Sequence, residues 1–218
     1  MSGPRSFGQA LAQARDTFPT RSVRRRDEVN PDGLYERALR LQREGSLQAA
    51  AATYSEVILA DPEFAEAYYG RASICYALGD CDQAINDCTR AIELRRSFME
   101  AHLIRGAACW GKAAQCEEND PSLAGYCEQA ISDCTRVIDA ETGTSASRVN
   151  RGCAYLNRGL AYWALGNKPM AKHDLENAVA LIHNSEWRSE AEQWLVELKK
   201  PRLLARYEGE TWHSICKR

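Results

Sequence analysis

The amino-acid sequence predicts an all-α protein built from repeated helical hairpins, and two observations support this prediction. Apolar residues recur at intervals of three and four, the spacing that brings side chains to one face of a helix. The string AINDCTRAIEL, which begins at Ala84, nearly recurs as AISDCTRVIDA from Ala130. A repeated string with helical periodicity predicts stacked copies of one helical unit.

The repeated unit is 34 residues long, and we expect two helices joined by a turn in each copy. Small residues stand at its eighth position and at its twentieth, where they let two helix backbones approach closely. These residues are Ala38, Ala72, Gly106 and Gly159, and Ala50, Ala84, Ala130 and Ala171. Positions 4, 8 and 11 share one face of the first helix, and positions 20, 24 and 27 share one face of the second. We therefore expect the core of each hairpin to form between these two faces.

Glycine and proline predict where the helices end and begin. Gly45, Gly79 and Gly166 occupy the fifteenth position, where a left-handed glycine would terminate the first helix. Asn30 before Pro31 and Asp61 before Pro62 predict an N-cap followed by proline at the first helical position.

This pattern resembles the tetratricopeptide repeat, most closely in the string ADPEFAEAYYGRA around Pro62. The resemblance covers residues 31–185, and it implies a right-handed superhelical solenoid of four helix-turn-helix units. The units are about 31–64, 65–98, 99–144 with an insertion, and 152–185. Residues 186–200 carry an apolar stripe typical of a capping helix, which covers the exposed last face of such an array.

The third unit carries twelve extra residues around CEENDPSLAGYC. Asp120-Pro121 predicts a new helix start there, so we expect both helices of this hairpin to be longer by about a turn and a half. Residues 145–151 precede the fourth unit, and we expect them to lengthen its first helix.

The two ends of the chain differ from the repeats in composition. Residues 1–30 are basic, with six arginines in the first 26 positions, and we expect a disordered N-terminal segment. We expect a cytoplasmic protein. A mitochondrial protein is the alternative, because an arginine-rich, acid-poor leader is also typical of a mitochondrial transit peptide. Residues 201–218 form a C-terminal tail that mixes apolar and charged residues.

The composition argues against two classes of partner. The chain has no run of eighteen apolar residues, so we expect no membrane span. Its net charge of −2 gives no general support for binding nucleic acid. A nucleic-acid role would depend on the N-terminal arginines alone.

Nine cysteines are an unusual number for 218 residues, and six of them occupy equivalent positions in the repeats. In the third hairpin, Cys109 lies level with Cys134 and Cys116 with Cys127, because both pairs have the same index sum. The two levels are about 10.5 Å apart along a helix, too far for four sulfurs to hold one tetrahedral metal ion. Three interpretations stay open: buried thiols that act as small apolar residues, disulfides within hairpins, and a metal or redox-sensing role.

A second stripe on the first helices predicts the partner-binding surface. In the family that the sequence resembles, this stripe lines the concave face of the superhelix, and here it is mostly apolar or aromatic. We expect it to form a groove for an apolar peptide or an amphipathic helix of a partner protein. The alternative is that these side chains pack between adjacent first helices. The residues are Tyr35, Leu39, Tyr69, Tyr76, Leu103, Trp110, Leu156, Leu160 and Trp163.

Members of the family that clamp a chaperone's C-terminal carboxylate present Lys, Arg and Asn from this face. The corresponding positions here do not, so we expect no carboxylate clamp. They hold Tyr35, Leu39, Gly70, Ser73, Glu100 and Ile104.

The sequence predicts no catalytic site, cofactor or metal. The four histidines are scattered, and GxSxG, HExxH and P-loop strings do not occur. His102 occupies an apolar position, where a packed, hydrogen-bonded histidine is expected. The predicted function is a protein-interaction adaptor that is not an enzyme; the alternatives are a co-chaperone or assembly factor in an organelle and, third, a nucleic-acid-associated factor.

Overall fold

In the computed structural model, residues 30–117, 119–140, 145–183 and 185–198 are described. They divide into two compact units, residues 30–101 and residues 102–198. All regular secondary structure in these ranges is helical. The helices are α1 Pro31–Arg43, α2 Leu47–Ala60, α3 Ala65–Leu78, α4 Cys81–Leu94, α5 Met99–Ala113, α6 Pro121–Asp139, α7 Ser145–Ala164, α8 Lys168–Leu181 and α9 Ser185–Glu197.

The helices form hairpins whose backbones approach at the predicted small residues. The alanines at positions 8 and 20 of the repeats are fully buried. At Gly106, a Cβ atom would stand 2.9 Å from the Cys134 sulfur of the partner helix, and at Gly159 it would stand 3.2 Å from the Asp174 side chain. These contacts are tighter than ordinary van der Waals separation, so the hairpins need glycine at these two points.

Glycine terminates three of the first helices as predicted. Gly45, Gly79 and Gly166 have φ angles of 80°, 88° and 79°, the left-handed region that side chains with a Cβ rarely adopt. The third hairpin has alanine at the equivalent position, Ala113, and its turn is the longer one. The same local rule therefore explains both the three short turns and the exception.

The predicted start of α1 is confirmed. The Asn30 side chain accepts a hydrogen bond from the Asp32 amide at 3.1 Å, and proline follows at the first helical position. The prediction for Asp61-Pro62 is wrong, because α3 begins only at Ala65 and Asp61 ends α2. The Phe64 amide bonds the Asp61 carbonyl at 3.1 Å, three residues back, which closes a turn instead of opening a helix.

The inserted residues lengthen the third hairpin unequally. Asp120 caps α6 as predicted, accepting from the Ser122 amide at 2.7 Å, and α6 has 19 residues where α2, α4 and α8 have 14. The expectation that α5 is extended as well is wrong, since it has 15 residues and ends at Ala113. Proline at 121 fixes the start of α6, and the remaining insertion forms the turn. Residues 145–151 do extend α7, which has 20 residues.

The last helix, α9, occupies Ser185–Glu197 and packs on α8, close to the predicted capping helix at 186–200. It buries Ala191 and Trp194 and exposes Arg188 and Glu192. Among the described residues, none of the helices is both long enough and apolar enough to cross a membrane. The predictions for the basic N-terminal segment and for the tail at 201–218 concern residues outside the described ranges.

Candidate functional site

Two tyrosines of the predicted surface lie in the N-terminal unit, each held by a phenylalanine. The Tyr35 ring lies 5.0 Å from the Phe64 ring, and the Tyr69 ring lies 5.0 Å from the Phe98 ring, both tilted. Tyr35 also lies 5.9 Å from Tyr54. Both tyrosines are half-buried, so one side of each ring is packed while part of its surface stays open. Offset ring pairs at these distances are favourable and fix ring orientation.

The two phenylalanines are not among the residues that helical spacing predicted for this surface. Phe64 and Phe98 are 34 residues apart and hold the last position of their units, as the two tyrosines hold the fifth. The signal was therefore present as a second pair of equivalent aromatics. Helical periodicity does not reveal it, because these phenylalanines lie between helices rather than on a helical stripe.

Arg95 completes the environment of Tyr69. Its guanidinium carbon lies 3.7 Å above the Phe98 ring, and its Nη1 atom donates to the Glu66 carboxylate at 2.7 Å. Cation–π and ion-pair contacts on one guanidinium hold the three side chains together. Arg95 therefore pairs with Glu66, the acidic residue one turn before Tyr69.

Five of the nine predicted surface residues are buried, which corrects the expectation that all nine line an open groove. Leu103 is 1% exposed and packs with Cys134, Val137 and Ala154, so helices α6 and α7 cover it. Trp110 is 3% exposed. The buried set is Leu39, Leu103, Trp110, Leu156 and Leu160. These side chains pack inside their units, and Leu103 does so against both the second helix of its own hairpin and the next first helix.

The other four predicted residues, Tyr35, Tyr69, Tyr76 and Trp163, are half-buried. The first three lie in the N-terminal unit. Trp163 lies in the C-terminal unit, where its ring meets that of Trp194 on α9 edge-on at 4.9 Å. The capping helix thus occupies one side of Trp163, and partner binding by these four residues stays a prediction.

Buried arginine–aspartate pairs are the main polar feature of the hairpins, and the apolar periodicity of the sequence does not predict them. Arg71 donates to Asp87 through Nε and Nη2, both at 2.7 Å, and this hydrogen bonding raises the pKa of Arg71. Arg158 holds Asp174 in the same two-pronged way at 2.7 and 2.9 Å. We call each such pair a clasp, because it joins the first helix of a hairpin to the second.

Each of these two arginines also reaches the hairpin before its own. Arg71 Nη1 donates to the Ser55 hydroxyl, and Arg158 Nη1 donates to the Thr135 hydroxyl, both at 2.9 Å. One guanidinium therefore bridges three helices. Such planar, two-pronged recognition is specific to arginine, and lysine could not reproduce it.

The third clasp is the most elaborate. Asp133 accepts from Arg105 Nε and Nη2 at 2.8 Å each, and from Gln129 at 3.0 Å. His102 Nδ1 lies 2.7 Å from the same carboxylate and must carry the hydrogen, because a carboxylate can only accept. The prediction of a packed, hydrogen-bonded histidine is confirmed.

The cysteines lie along these same hairpins. No disulfide joins the eight cysteines that the structure describes, and six of the eight are buried. Burial, and secondarily Asp133, raises the pKa of Cys134 well above its ordinary value. Burial and then Asp87 raise the pKa of Cys75 to about 11. A thiol that resists ionisation is a poor nucleophile and a poor metal ligand. Within the described ranges, no three Cys, His, Asp or Glu side chains are placed to hold a metal ion.

Comparisons with known proteins agree on the type of repeat. Residues 35–97 and 154–182 match sequence models described as tetratricopeptide repeat. "Protein SGT1 homolog" of Oryza sativa subsp. japonica is 42% identical over 62 residues, 28% of this chain and 17% of the relative. The "Tetratricopeptide repeat and J domain-containing co-chaperone DNJ1" of Cryptococcus neoformans var. grubii is 35% identical over 72 residues, 33% of this chain and 14% of the relative. The chain thus matches less than a fifth of the length of either relative.

Solved structures extend the likeness to most of the chain. The tetratricopeptide-repeat protein TTC0263 of Thermus thermophilus superposes with a TM-score of 0.60 at 23% identity. The match covers 78% of this chain and 84% of that one. Identity this low establishes the fold alone, which is an all-α solenoid of the tetratricopeptide type.

Proposed function

Because the chain is a tetratricopeptide-repeat protein, we propose that it acts as an adaptor without enzymatic activity, holding a peptide or helix of a partner protein. The observation that carries this proposal is the paired geometry of Tyr35 and Tyr69. Each ring stands at the same position of its repeat, is half-buried, and is fixed by a phenylalanine at 5.0 Å. A ring that is already oriented loses little entropy when a partner binds, which favours affinity.

The chemistry of this surface favours an apolar segment as the occupant. Tyr76 lies two turns beyond Tyr69 on α3 and is also half-buried, so aromatic surface continues along the helix. Glu66, the nearby acid, is paired with Arg95 at 2.7 Å. A partner would therefore meet aromatic carbon with little unpaired charge, the kind of surface that anchors hydrophobic side chains.

A peptide selection followed by affinity measurement tests this proposal. Peptides selected from a random library on the full chain would be labelled, and their dissociation constants measured by fluorescence anisotropy. We expect Tyr35→Ala and Tyr69→Ala each to weaken binding about tenfold or more, the cost of losing an aromatic anchor. Leu59→Ala is the matched control, because Leu59 is 83% exposed on α2 and should leave the constant unchanged. Unchanged binding by both tyrosine variants at normal helicity would contradict the proposal.

A co-chaperone role is the second candidate, favoured by the relative named as a co-chaperone. Under our proposal this chain would recognise its client without clamping a C-terminal carboxylate. Four of the six positions that correspond to such a clamp are buried, namely Leu39, Gly70, Ser73 and Ile104. Binding of a selected peptide should therefore be the same with a free or an amidated C-terminus, whereas loss of binding on amidation would indicate a clamp.

A further inference from the structure

The half-buried rings of Tyr35 and Tyr69 belong to one surface, which we call the tyrosine face. Gln42 Nε2 on α1 donates to the Ser73 hydroxyl on α3 at 3.4 Å, so the two helices lie side by side. Gln42 stands two turns after Tyr35, and Ser73 stands one turn after Tyr69. Residues at these spacings share one side of a helix. The contact therefore joins the two helix sides that carry the tyrosines.

Acidic side chains surround the Tyr35 end of the tyrosine face. Asp32 lies one turn before Tyr35 and Glu36 directly after it, and Glu63 precedes Phe64, whose ring lies 5.0 Å from that of Tyr35. Glu36 and Glu63 are exposed, and Asp32 is half-buried. Within the part of the chain that the structure describes, no basic side chain forms an ion pair with these three carboxylates. An occupant that is both apolar and basic would complement this end.

The charge of the whole N-terminal unit agrees with this local pattern. Residues 30–101 contain twelve acidic and seven basic residues, a net charge of −5. Residues 1–29 contain six arginines and three acidic residues, a net charge of +3. The part of the chain that precedes α1 is therefore opposite in charge to the unit that follows it.

The chain itself supplies an apolar and basic segment just before α1. Residues 18–26, outside the described ranges, have the sequence FPTRSVRRR, with four arginines, no acidic residue, and Phe18 and Val23 as apolar members. We call them the arginine segment. Arg26 stands four positions before Asn30, a length of chain that spans up to about 13 Å. Tyr35 lies only about 7.5 Å from Asn30 along the axis of α1. The arginine segment is thus long enough to reach the Tyr35 end of the tyrosine face.

We propose that the arginine segment is an internal competitor, which covers the Tyr35 end of the tyrosine face until a partner displaces it. Its apolar side chains pack against the Tyr35 and Phe64 rings, and its guanidinium groups pair with Glu36 and Glu63. This regulation rests on the proposed function, because it concerns the same binding surface.

Tethering favours this occupant over a free partner. A segment joined to its site by a short linker has an effective concentration of about 1 mM. Even a weak contact, with a dissociation constant of about 0.1 mM, would therefore keep the face covered about ten times as often as open. The apparent affinity for a partner would then fall about tenfold, because only the open fraction can bind it.

A labelled copy of the segment tests whether the face is covered. A fluorescein-labelled peptide with the sequence of residues 15–29 would be titrated with the full chain and followed by fluorescence anisotropy. The comparison is between wild type and a variant that combines Arg24→Gln, Arg25→Gln and Arg26→Gln, which we call the arginine variant. We expect the peptide to bind the arginine variant about tenfold more tightly, because its own segment no longer competes. Equal dissociation constants would leave the face to a partner alone and overturn the proposal, as would no binding to the arginine variant at about 1 mM peptide.

Neutralising the acids tests where the peptide binds. In the arginine variant, Glu36→Gln together with Glu63→Gln should weaken peptide binding about fivefold, the effect expected from two exposed ion pairs. Glu44→Gln together with Glu56→Gln is the matched control, because both residues are exposed in the same unit and the net charge changes equally. All four positions accept glutamine without loss of packing, which circular dichroism would check. Equal weakening by the two pairs would indicate general charge attraction and overturn the proposal.

The peptides selected to test the proposed function distinguish its failure from the failure of this inference. A selected peptide that depends on Tyr35 and Tyr69 should bind the arginine variant about tenfold more tightly than wild type. If it binds both equally, the adaptor function stands and internal competition is overturned. If no selected peptide depends on the tyrosines, while the labelled segment still prefers the arginine variant and needs Glu36 and Glu63, the covering contact stands and the proposed function falls.

Discussion

Replacing Asp133 with asparagine tests the importance of the clasps for folding. The Asp133 side chain is 1% exposed and accepts four hydrogen bonds, two of them from Arg105. Asparagine keeps the volume but removes the charge, and it turns an N–H₂ group toward donors that need an acceptor. The guanidinium of Arg105, 15% exposed, would lose its ion-pair partner.

Breaking one side of a buried ion pair costs about 3–5 kcal/mol. Domains have a total free energy of unfolding of about 5–15 kcal/mol, so this loss is a large fraction of the whole. With a urea dependence of about 2 kcal/mol per molar, the unfolding midpoint should fall by roughly 1.5–2.5 M. Asparagine leaves no cavity, so this loss reports the polar contacts and not packing.

Urea unfolding followed by circular dichroism measures the effect. Asp139→Asn is the control, because Asp139 is exposed at the end of the same helix, and it should shift the free energy of unfolding by less than about 0.5 kcal/mol. If Asp133→Asn cost as little as this control, the clasps would contribute little to folding and our reasoning would be refuted.

The effect of Asp133→Asn on the free energy of unfolding should depend on pH. Burial alone would raise the pKa of Asp133, but hydrogen bonds from Arg105 and His102 outweigh burial and hold the pKa below its ordinary value. A folded-state pKa below the unfolded one stabilises the protein above about pH 4, and this contribution disappears as pH falls through the folded value. The difference between wild type and Asp133→Asn should therefore shrink in acid.

Three further predictions concern packing and charge in the C-terminal unit. Gly106→Ala should destabilise the protein by about 1–3 kcal/mol, because the added Cβ would meet the Cys134 sulfur at 2.9 Å. Gly125→Ala has open space around it and should stabilise α6 by up to about 1 kcal/mol. Urea unfolding measures both effects. Trp110→Ala should lower the free energy of unfolding by about 3–5 kcal/mol because the ring is buried, whereas Leu59→Ala, at an exposed residue, should change it little. A larger loss of thermal stability in Leu59→Ala than in Trp110→Ala would contradict the placement of Trp110 in the core. Burial raises the pKa of Glu190 to about 7, above its unfolded value, so the free energy of unfolding falls as the pH rises from about 4 to 7. Glu190→Gln should therefore raise the urea midpoint at about pH 8 and leave it unchanged at about pH 4.

The helices were predictable because their signals are local. Apolar spacing, small residues at hairpin contacts and glycine in the turns act within one or two turns of the chain. The Asp120 cap and the lengthened α7 followed from the same kind of signal. The error at Asp61 shows the limit of such rules. An aspartate before proline fits both a helix start and a turn, and only the path of the chain after the proline distinguishes the two: α6 starts at Pro121 itself, whereas α3 starts at Ala65, three residues after Pro62.

The clasps were also visible in the sequence, although apolar periodicity does not reveal them. Arginine holds the seventh position of all four units, and aspartate holds the twenty-third position of the last three. The first unit has Thr53 there instead, and its Arg37 is exposed. These equivalent charged positions predict the pairs, because their spacing is 16 residues in each unit once the twelve inserted residues are subtracted.

The sequence was enough to place the helices, to pair them into hairpins and to identify the residues at which their backbones touch, since these properties depend on neighbours close along the chain. Tertiary structure decided which side of each first helix stays open. Leu103 and Tyr69 occupy equivalent positions of two repeats, yet Leu103 is buried beneath α6 and α7 while Tyr69 keeps part of its ring exposed. Burial is set by helices that are distant in the chain, and no local pattern records which of them will cover a given side chain.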